Sequence, residues 1–408
     1  MNKTISRYIR QNIKYPLLIE DGPASDLGMI IVIPCHNEPD VVSAVKDIYQ
    51  STQPKVSVEV IVVINGSDSD PESIEIQNKK SYEDLHALEG LPNWFSLYVI
   101  MNNSFSEKKA GVGLARKIGL DDAVRRFVHM EKYDGIIVCY DADSNCDDNY
   151  LVEIEKVFQD PKVTSIGINY EHPIEGDEYP EEIYNYIVQY ELHLRYFIQM
   201  QKRIKLPYAY HTVGSSMACK VEAYCAVGGM NQRKAGEDFY FLHKLIKYGG
   251  HAELNTTRVV PSPRVSDRVP FGTGKAVGDL QASDTGMYKT YNPKSFLALE
   301  KLVKDLAATY ERKAFSAELP EPVSEYLKVI NGDDNLKMII ENTTDYPSFE
   351  KRFWNWFDAF QLMKYLHFLR DSWFEDIDVT EVALTDSKLE NSNLKEMLAY
   401  FRGYYRKM

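Results

Sequence analysis

The chain has 408 residues, more than one hydrophobic core ordinarily serves, so two domains are expected, and its 44% hydrophobic residues are enough to build them. Lys and Arg number 47 against 60 Asp and Glu, a net charge of −13. That balance argues against sequence-independent nucleic-acid binding, which needs clustered cations against phosphate. The five cysteines (Cys35, Cys139, Cys146, Cys219, Cys225) are odd in number and contain no C-x-x-C. This usage fits a reducing compartment and not a structural zinc site. The N-terminal segment, residues 1–27, has basic residues but no continuous apolar run, so no signal peptide is readable. Runs such as "GMIIVIP" fall short of the roughly 20 residues a membrane helix needs. A soluble cytoplasmic protein is expected.

From Gly28 the text alternates between strand and helix. "MIIVIP" is β-branched and reads as a buried strand. "EPDVVSAVKDIYQST" has helical spacing, with Val41, Val45, Ile48 and Tyr49 on one face. "VEVIVVINGSDSD" is a second strand ending in turn residues, and "FSLYVIMNN" a third. "VGLARKIGLDDAVRRFV" reads as a helix and "DGIIVCYDAD" as a fourth strand. The alternation predicts a mostly parallel sheet with helices on both faces. "EYPEEIYNYIVQYELHLRYFIQMQKRI" reads as a long helix. "GSSMACKVEAYCAVGGM" reads as strand, short helix and glycine turn, and "GEDFYFLHKLIKYGG" as a helix stopped by Gly249 and Gly250. Beyond about residue 290 the pattern becomes helical and aromatic. Phe349, Phe353, Phe357 and Phe360 recur at helical spacing, a stripe suited to core packing.

The polar clusters Cys35–Glu38, Asn65–Asp70 and Asp141–Asp143 all fall at carboxyl ends of predicted strands, where open α/β sheets bind ligands. Asp141-Ala142-Asp143 offers two carboxylates that repel unless a cation lies between them. Acid-x-acid suits a hard divalent ion that leaves room for phosphates, and also suits a solvated Asx turn. Gly236-Glu237-Asp238 reads as an acidic first helical turn or as a general base held at a helix start. His172 and His211 read first as structural histidines; His251, in "GGHAEL", is a weak third candidate for a metal. Arg264, Arg268 and Lys275 lie among Gly, Ser and Pro, as in a surface loop or one that grips phosphates. "AGVGLARKIG" has Arg116 where a dinucleotide fingerprint wants its third glycine. "VPFGTGKA" has Val269 and Ala276 where a phosphate loop wants Gly and Ser/Thr. A dehydrogenase and a P-loop ATPase are both disfavoured.

Together the motifs resemble the family 2 glycosyltransferases of GT-A fold, over roughly residues 28–275. "MIIVIPCHNEPDVVSAV" is similar to the family's opening strand and proline turn, and "EVIVVINGSDSD" to its second strand. "KKAGVGLARKIGLD" is similar to its Gly/Arg helix start, "VCYDADSNC" to its metal motif, and "VGGMNQRKAGEDFYFLHKLIKYG" to its Gly-Gly turn and Glu-Asp helix. The resemblance implies a GT-A type, mostly parallel sheet flanked by helices over residues 28–288, with an additional C-terminal α-helical domain over 289–408. It implies that Pro34, His36, Glu38, Asn65, Lys109, Arg116 and Asp141 contact the donor nucleotide. Asn65 stands near the position of the family's usual acid, which leaves the base preference open. Gly214 and Ser215 would border the donor sugar, and Arg264 or Arg268 would serve the phosphates. Asp143, with Asp141, would hold Mn²⁺ or Mg²⁺. Asp238 would be the base of an inverting enzyme, with Glu237 beside it. The membrane spans and the Gln-x-x-Arg-Trp signature of processive polysaccharide synthases are absent, which argues against a polymerase.

The resulting expectation is a metal-dependent glycosyltransferase using a UDP- or GDP-sugar and an acceptor hydroxyl, with a homo-oligomer through the helical domain as one possibility. Two alternatives stand beside it. One is a retaining enzyme of the same fold acting on a small anionic acceptor such as glycerate or phosphoglycerate. The other is a non-catalytic sugar-nucleotide-binding protein.

Overall fold

A computed structural model describes residues 2–406. The chain forms two compact units. The first takes the described residues up to 184, then 212–278 and 405 onward; the second takes 185–211 and 279–404.

The first unit carries the predicted alternation. After α1 (Lys3–Asn12) come β1 (Leu27–Cys35), α2 (Val41–Gln50), β2 (Ser57–Ser67), α3 (Glu72–His86), β3 (Phe95–Phe105) and α4 (Val112–His129). There follow β4 (Ile136–Cys139), β5 (Ser144–Cys146), α5 (Tyr150–Val157) and β6 (Ser165–Tyr170), and then α6 (Glu181–Arg203), most of which belongs to the second unit. Then come β7 (Met217–Lys220), α7 (Val221–Ala226), α8 (Glu237–Tyr248), β8 (His251–Pro261) and α9 (Thr273–Gln281). The eight strands form one sheet in the order β3-β2-β1-β4-β7-β6-β8-β5. It is mostly parallel: β7 runs antiparallel to both neighbours, and β5 antiparallel to β8.

Strand residues alternate between the two faces, so one β-branched run supplies two cores. Ile30, Val32, Ile61 and Val63 pack with Leu114, Ile118 and Phe127 of α4 on one side. Met29, Ile31, Ile33, Val60 and Val62 pack with Val41, Val45 and Ile48 of α2 on the other. α1 joins the first core through Ile5 and Tyr8. The Tyr8 hydroxyl donates to Asp121 Oδ1 at 2.6 Å, and Lys117 Nζ lies 2.9 Å from Asp121 Oδ2, so this buried acid is paired.

The second unit is helical, as expected for the C-terminal region, with one short antiparallel pair, β9 (Lys289–Thr290) and β10 (Ile377–Asp378). The phenylalanine stripe is core for three of its four members. Phe349, Phe353 and Phe357 are buried, with the Phe353 and Phe357 rings stacked at 6.3 Å. Phe360 is 43% exposed. The helix Tyr346–Trp356 ends before Phe357, and Asp358 caps a new one (Ala359–Ser372) by accepting from the Phe360 and Gln361 amides, so the periodicity does not carry across. No helix among the described residues is long and apolar enough to cross a membrane. The five cysteines are all free.

Candidate active site

Strand order decides where polar side chains gather. β1 lies between β2 and β4; the chain moves outward from β1 through β2 and β3, then returns to β4 on the other side. The crevice outside the carboxyl ends of β1 and β4 is therefore a topological switch point. β1 and β4 pair in parallel as far as Val32 opposite Cys139, so Cys35–Glu38 and Asp141–Asp143 leave the sheet side by side. β7 runs antiparallel to β4 with Met217 opposite Cys139, which brings the turn carrying Gly214 and Ser215 to the same end. β8 ends with Pro261 opposite Ser144, and the Ser262 amide donates to the Asp143 carbonyl at 3.2 Å. The arginine loop thus starts beside Asp143.

Two ion clusters result. In the first, Arg116 of α4 donates from Nη2 to Asp141 Oδ1 and from Nη1 to Glu237 Oε1. Its side chain is 4% exposed. Gly214 lies directly on the guanidinium: a Cβ there would come 2.6 Å from Nη2 and 2.7 Å from Nη1, so a side chain has no room. Burial opposes the Arg116 charge, but Asp141 and Glu237 outweigh it and push its pKa up. Burial raises the Glu237 and Asp238 carboxyls above the usual range, while Arg116 pulls both down. Gly236, with φ of 71°, takes the left-handed turn that opens α8, and both acids then occupy its first turn. Glu237 is buried; Asp238 is half-exposed, its Oδ1 accepting from the Phe239 amide at 2.7 Å.

In the second cluster, Glu38 is the anchor. Its carboxylate, 3% exposed, accepts both terminal nitrogens of Arg264, Nη1 to Oε1 at 2.9 Å, and Arg268 Nη1 at 3.2 Å. Arg264 Nη2 also lies 2.8 Å from Asp143 Oδ2. Arg268 Nη2 donates to the Asn37 carbonyl at 2.7 Å, and the Asn37 amide donates to Asn78 Oδ1 at 2.8 Å. Burial pushes the Asp143 carboxyl up to about 6 against the opposing pull of Arg264.

The other predicted residues divide. His36 Nδ1 lies 2.7 Å from the carbonyl of buried Asn65, whose amide reaches the Gly111 carbonyl at 3.4 Å. These two meet at the ends of β1 and β2. Pro34 is half-buried within β1, Ser215 is buried, and Lys109 is exposed just ahead of α4. His172 Nε2 lies 3.4 Å from Thr273 Oγ1. His211 falls in the second unit. His251 opens β8 opposite Ser165, at the amino end of the parallel pair and away from the acids. There its Nδ1 lies 2.9 Å from Ser165 Oγ and burial takes its pKa down to about 4; its place at the opposite end of the strands leaves it outside this acid cluster. Cys35 and Cys139 lie beneath the cleft, but burial pushes both thiols up to about 12, which leaves no thiolate nucleophile.

Sequence reading did not foresee the mutual pairing of Glu38, Asp143 and Arg264, or the interior place of Arg116. The only available signal was charge balance: each strand-end acid needed a partner cation.

No group of three or more His, Cys, Asp or Glu side chains among the described residues is arranged to hold a metal ion. The donor chemistry nevertheless fits one. The ligands on offer are carboxylate oxygens, suited to a hard divalent cation that completes its shell with phosphate and water. Asp143 remains 29% exposed. Glu38, Asp141, Asp143, Glu237 and Asp238 face Arg116, Arg264 and Arg268, a formal surplus of two negative charges that one divalent ion cancels.

Residues 136–290 match the model of the family described as glycosyl transferase family group 2. The matched segment holds Asp141, Asp143, Asp238, Arg264 and Arg268, and its family is the one the motifs resemble. No curated protein matches the chain. Among solved structures, the chain is similar to Staphylococcus aureus TarS 1–349 in complex with UDP-GlcNAc, at 13% identity and a TM-score of 0.39 over 93% of this chain and 90% of that one. It is similar to the mannosyltransferase PcManGT from Pyrobaculum calidifontis in complex with GDP-Man and Mn²⁺, at 15% identity and a TM-score of 0.36 over 98% and 92%. Glucosyl-3-phosphoglycerate synthase from Mycobacterium tuberculosis gives 16% identity and a TM-score of 0.37 over 65% and 85%. Similarities at this level fix no residue's role.

Proposed function

We propose that the chain is a glycosyltransferase that moves a sugar from a nucleotide-diphospho-sugar to an acceptor hydroxyl, with a divalent cation and with inversion. The observation that carries this reading is the convergence of acids and arginines on the switch point between β1 and β4, within and beside the segment of glycosyltransferase type. Breaking the anomeric C–O bond passes through an oxocarbenium-like state while negative charge gathers on the leaving diphosphate. Arg264 and Arg268, at the same strand end as Asp143, would meet that charge with N–H donors turned from their present carboxylate partners. Asp141 and Asp143 would hold Mn²⁺ or Mg²⁺, which when bound would supply Lewis-acid stabilisation of the leaving group. Asp238 takes the proton of the attacking hydroxyl, because of the two acids opening α8 it is the one solvent reaches. Glu237, held by Arg116 inside the fold, keeps that helix start in register with Asp141.

Calorimetry of UDP and GDP with and without Mn²⁺ tests the reading. The wild type is expected to bind one of the two far more tightly with Mn²⁺, and Asp143→Ala is expected to lose the Mn²⁺ dependence while melting normally. Equal nucleotide affinity in the variant and the wild type would remove the metal assignment.

A further inference from the structure

We infer that Arg264 is the counter-cation that occupies Asp143 until the donor arrives, so that metal and nucleotide bind as a unit. The inference rests on the glycosyltransferase reading above and concerns how its site fills.

Glu38 is almost wholly withdrawn from water. A carboxylate so placed is costly unless a cation satisfies it. Arg264 meets that need with both terminal nitrogens and, from Nη2, also spans to Asp143 Oδ2 at 2.8 Å. One guanidinium therefore links the carboxylate assigned to the metal with the buried carboxylate behind it.

Arg268 makes the exchange feasible. It holds Glu38 Oε2 at 3.2 Å and the Asn37 carbonyl at 2.7 Å and has no ion pair with Asp143, so Arg264 can leave Asp143 without stranding Glu38. The loop backbone is tied at both ends. Ser262 is joined to Asp143 by its amide and to the Tyr179 hydroxyl at 2.9 Å, and the Ser266 amide donates to the Gly274 carbonyl at 3.2 Å. The movable part is then the Arg264 side chain, 21% exposed, and not the loop.

The energetic consequence is a coupling. A divalent ion arriving alone must displace the single Arg264 Nη2 contact with Asp143 and sets its charge beside a guanidinium still forked on Glu38. An ion arriving with a diphosphate gives that guanidinium a new partner of the same forked geometry. Mn²⁺ alone is therefore bound weakly, and the residue that helps nucleotide binding opposes metal binding.

The test is opposite-signed. Free Mn²⁺ is titrated by electron paramagnetic resonance on wild type and Arg264→Gln, alone and with UDP or GDP. Arg264→Gln is expected to bind Mn²⁺ alone about tenfold more tightly, as removal of a contacting unit charge implies, and to lose most of the mutual enhancement between Mn²⁺ and nucleotide. Arg264→Lys, which keeps the charge without the fork, is expected between the two. A thermal melt of each variant is expected to keep one cooperative transition, lowered in Arg264→Gln because Glu38 then has only Arg268, and shows that the fold is retained. If Arg264→Gln binds Mn²⁺ no more tightly than a wild type whose nucleotide binding still depends on Mn²⁺, the exchange is overturned and the glycosyltransferase reading stands. If wild-type nucleotide binding shows no Mn²⁺ dependence at all, the exchange and the metal assignment of the proposed function both fall.

Discussion

Asp238→Asn is expected to lower turnover by about 10²- to 10⁴-fold, the range a positioned general base contributes, while donor affinity stays close to wild type. The substitution keeps the shape of the side chain and its acceptor for the Phe239 amide, but removes the basic oxygen. The pH dependence follows from the direction of its shift. Burial raises the Asp238 carboxyl and Arg116 only partly offsets this, so the base stays protonated to a higher pH than an ordinary aspartate near about 3.9. The acid limb of the rate profile is expected above that value in the wild type and absent from the residual activity of the variant. Proton NMR of the first product formed should show an inverted anomer. A retained configuration, or an Asp238→Asn enzyme with full turnover, would contradict the role.

Arg116→Met is expected to destabilise the first unit by about 3 kcal/mol, measured by urea unfolding. Breaking a buried pair leaves an uncompensated charge, at a cost of about 3–5 kcal/mol; the low end applies because Asp141 is partly open to water. Arg116→Lys should restore much of the stability but little of the turnover. An ammonium is a point charge and cannot fork onto Asp141 and Glu237 together. If the lysine variant turned over at the wild-type rate, the positioning of α8 against β4 through this guanidinium would be refuted. A methionine variant with unchanged stability would equally show that the buried pairs carry no net weight.

Much of the first unit was legible because its elements obey simple periods. β1 and β2 are built on the β-branched runs 30–33 and 60–64, which prove buried on both faces, and α8 stops at the glycines that end its pattern. The acid clusters were legible because each follows such a run directly, and a strand's end is a local feature. What stayed hidden depends on long-range geometry. α1 buries Ile5 and Tyr8 against α4 and α7, yet it lies in a polar segment whose few apolar residues give no continuous run. α3 is polar along most of its length and presents only a weak apolar stripe. The resemblance assigns Arg116 to the nucleotide, and nothing local marks it as interior. Its burial comes from Gly214, which is brought over it only when β7 reverses direction beside β4. The pairing of Arg264 with Glu38 joins residues 226 apart, and nothing local marks either as the other's partner. The phenylalanine stripe misled at its fourth member because an aspartate cap restarts the helix one residue earlier.

Asp143, at the end of β4, would hold the cation that meets the diphosphate. The most direct measurement is anomalous scattering at the manganese edge from a crystal grown with Mn²⁺ and the nucleoside diphosphate that binds. The expected result is one strong peak touching Asp143 and the diphosphate oxygens, with the Arg264 guanidinium turned from Asp143 to phosphate. A nucleotide bound with no peak beside Asp143, or Mn²⁺ bound elsewhere while Arg264 still spans Glu38 and Asp143, would contradict it.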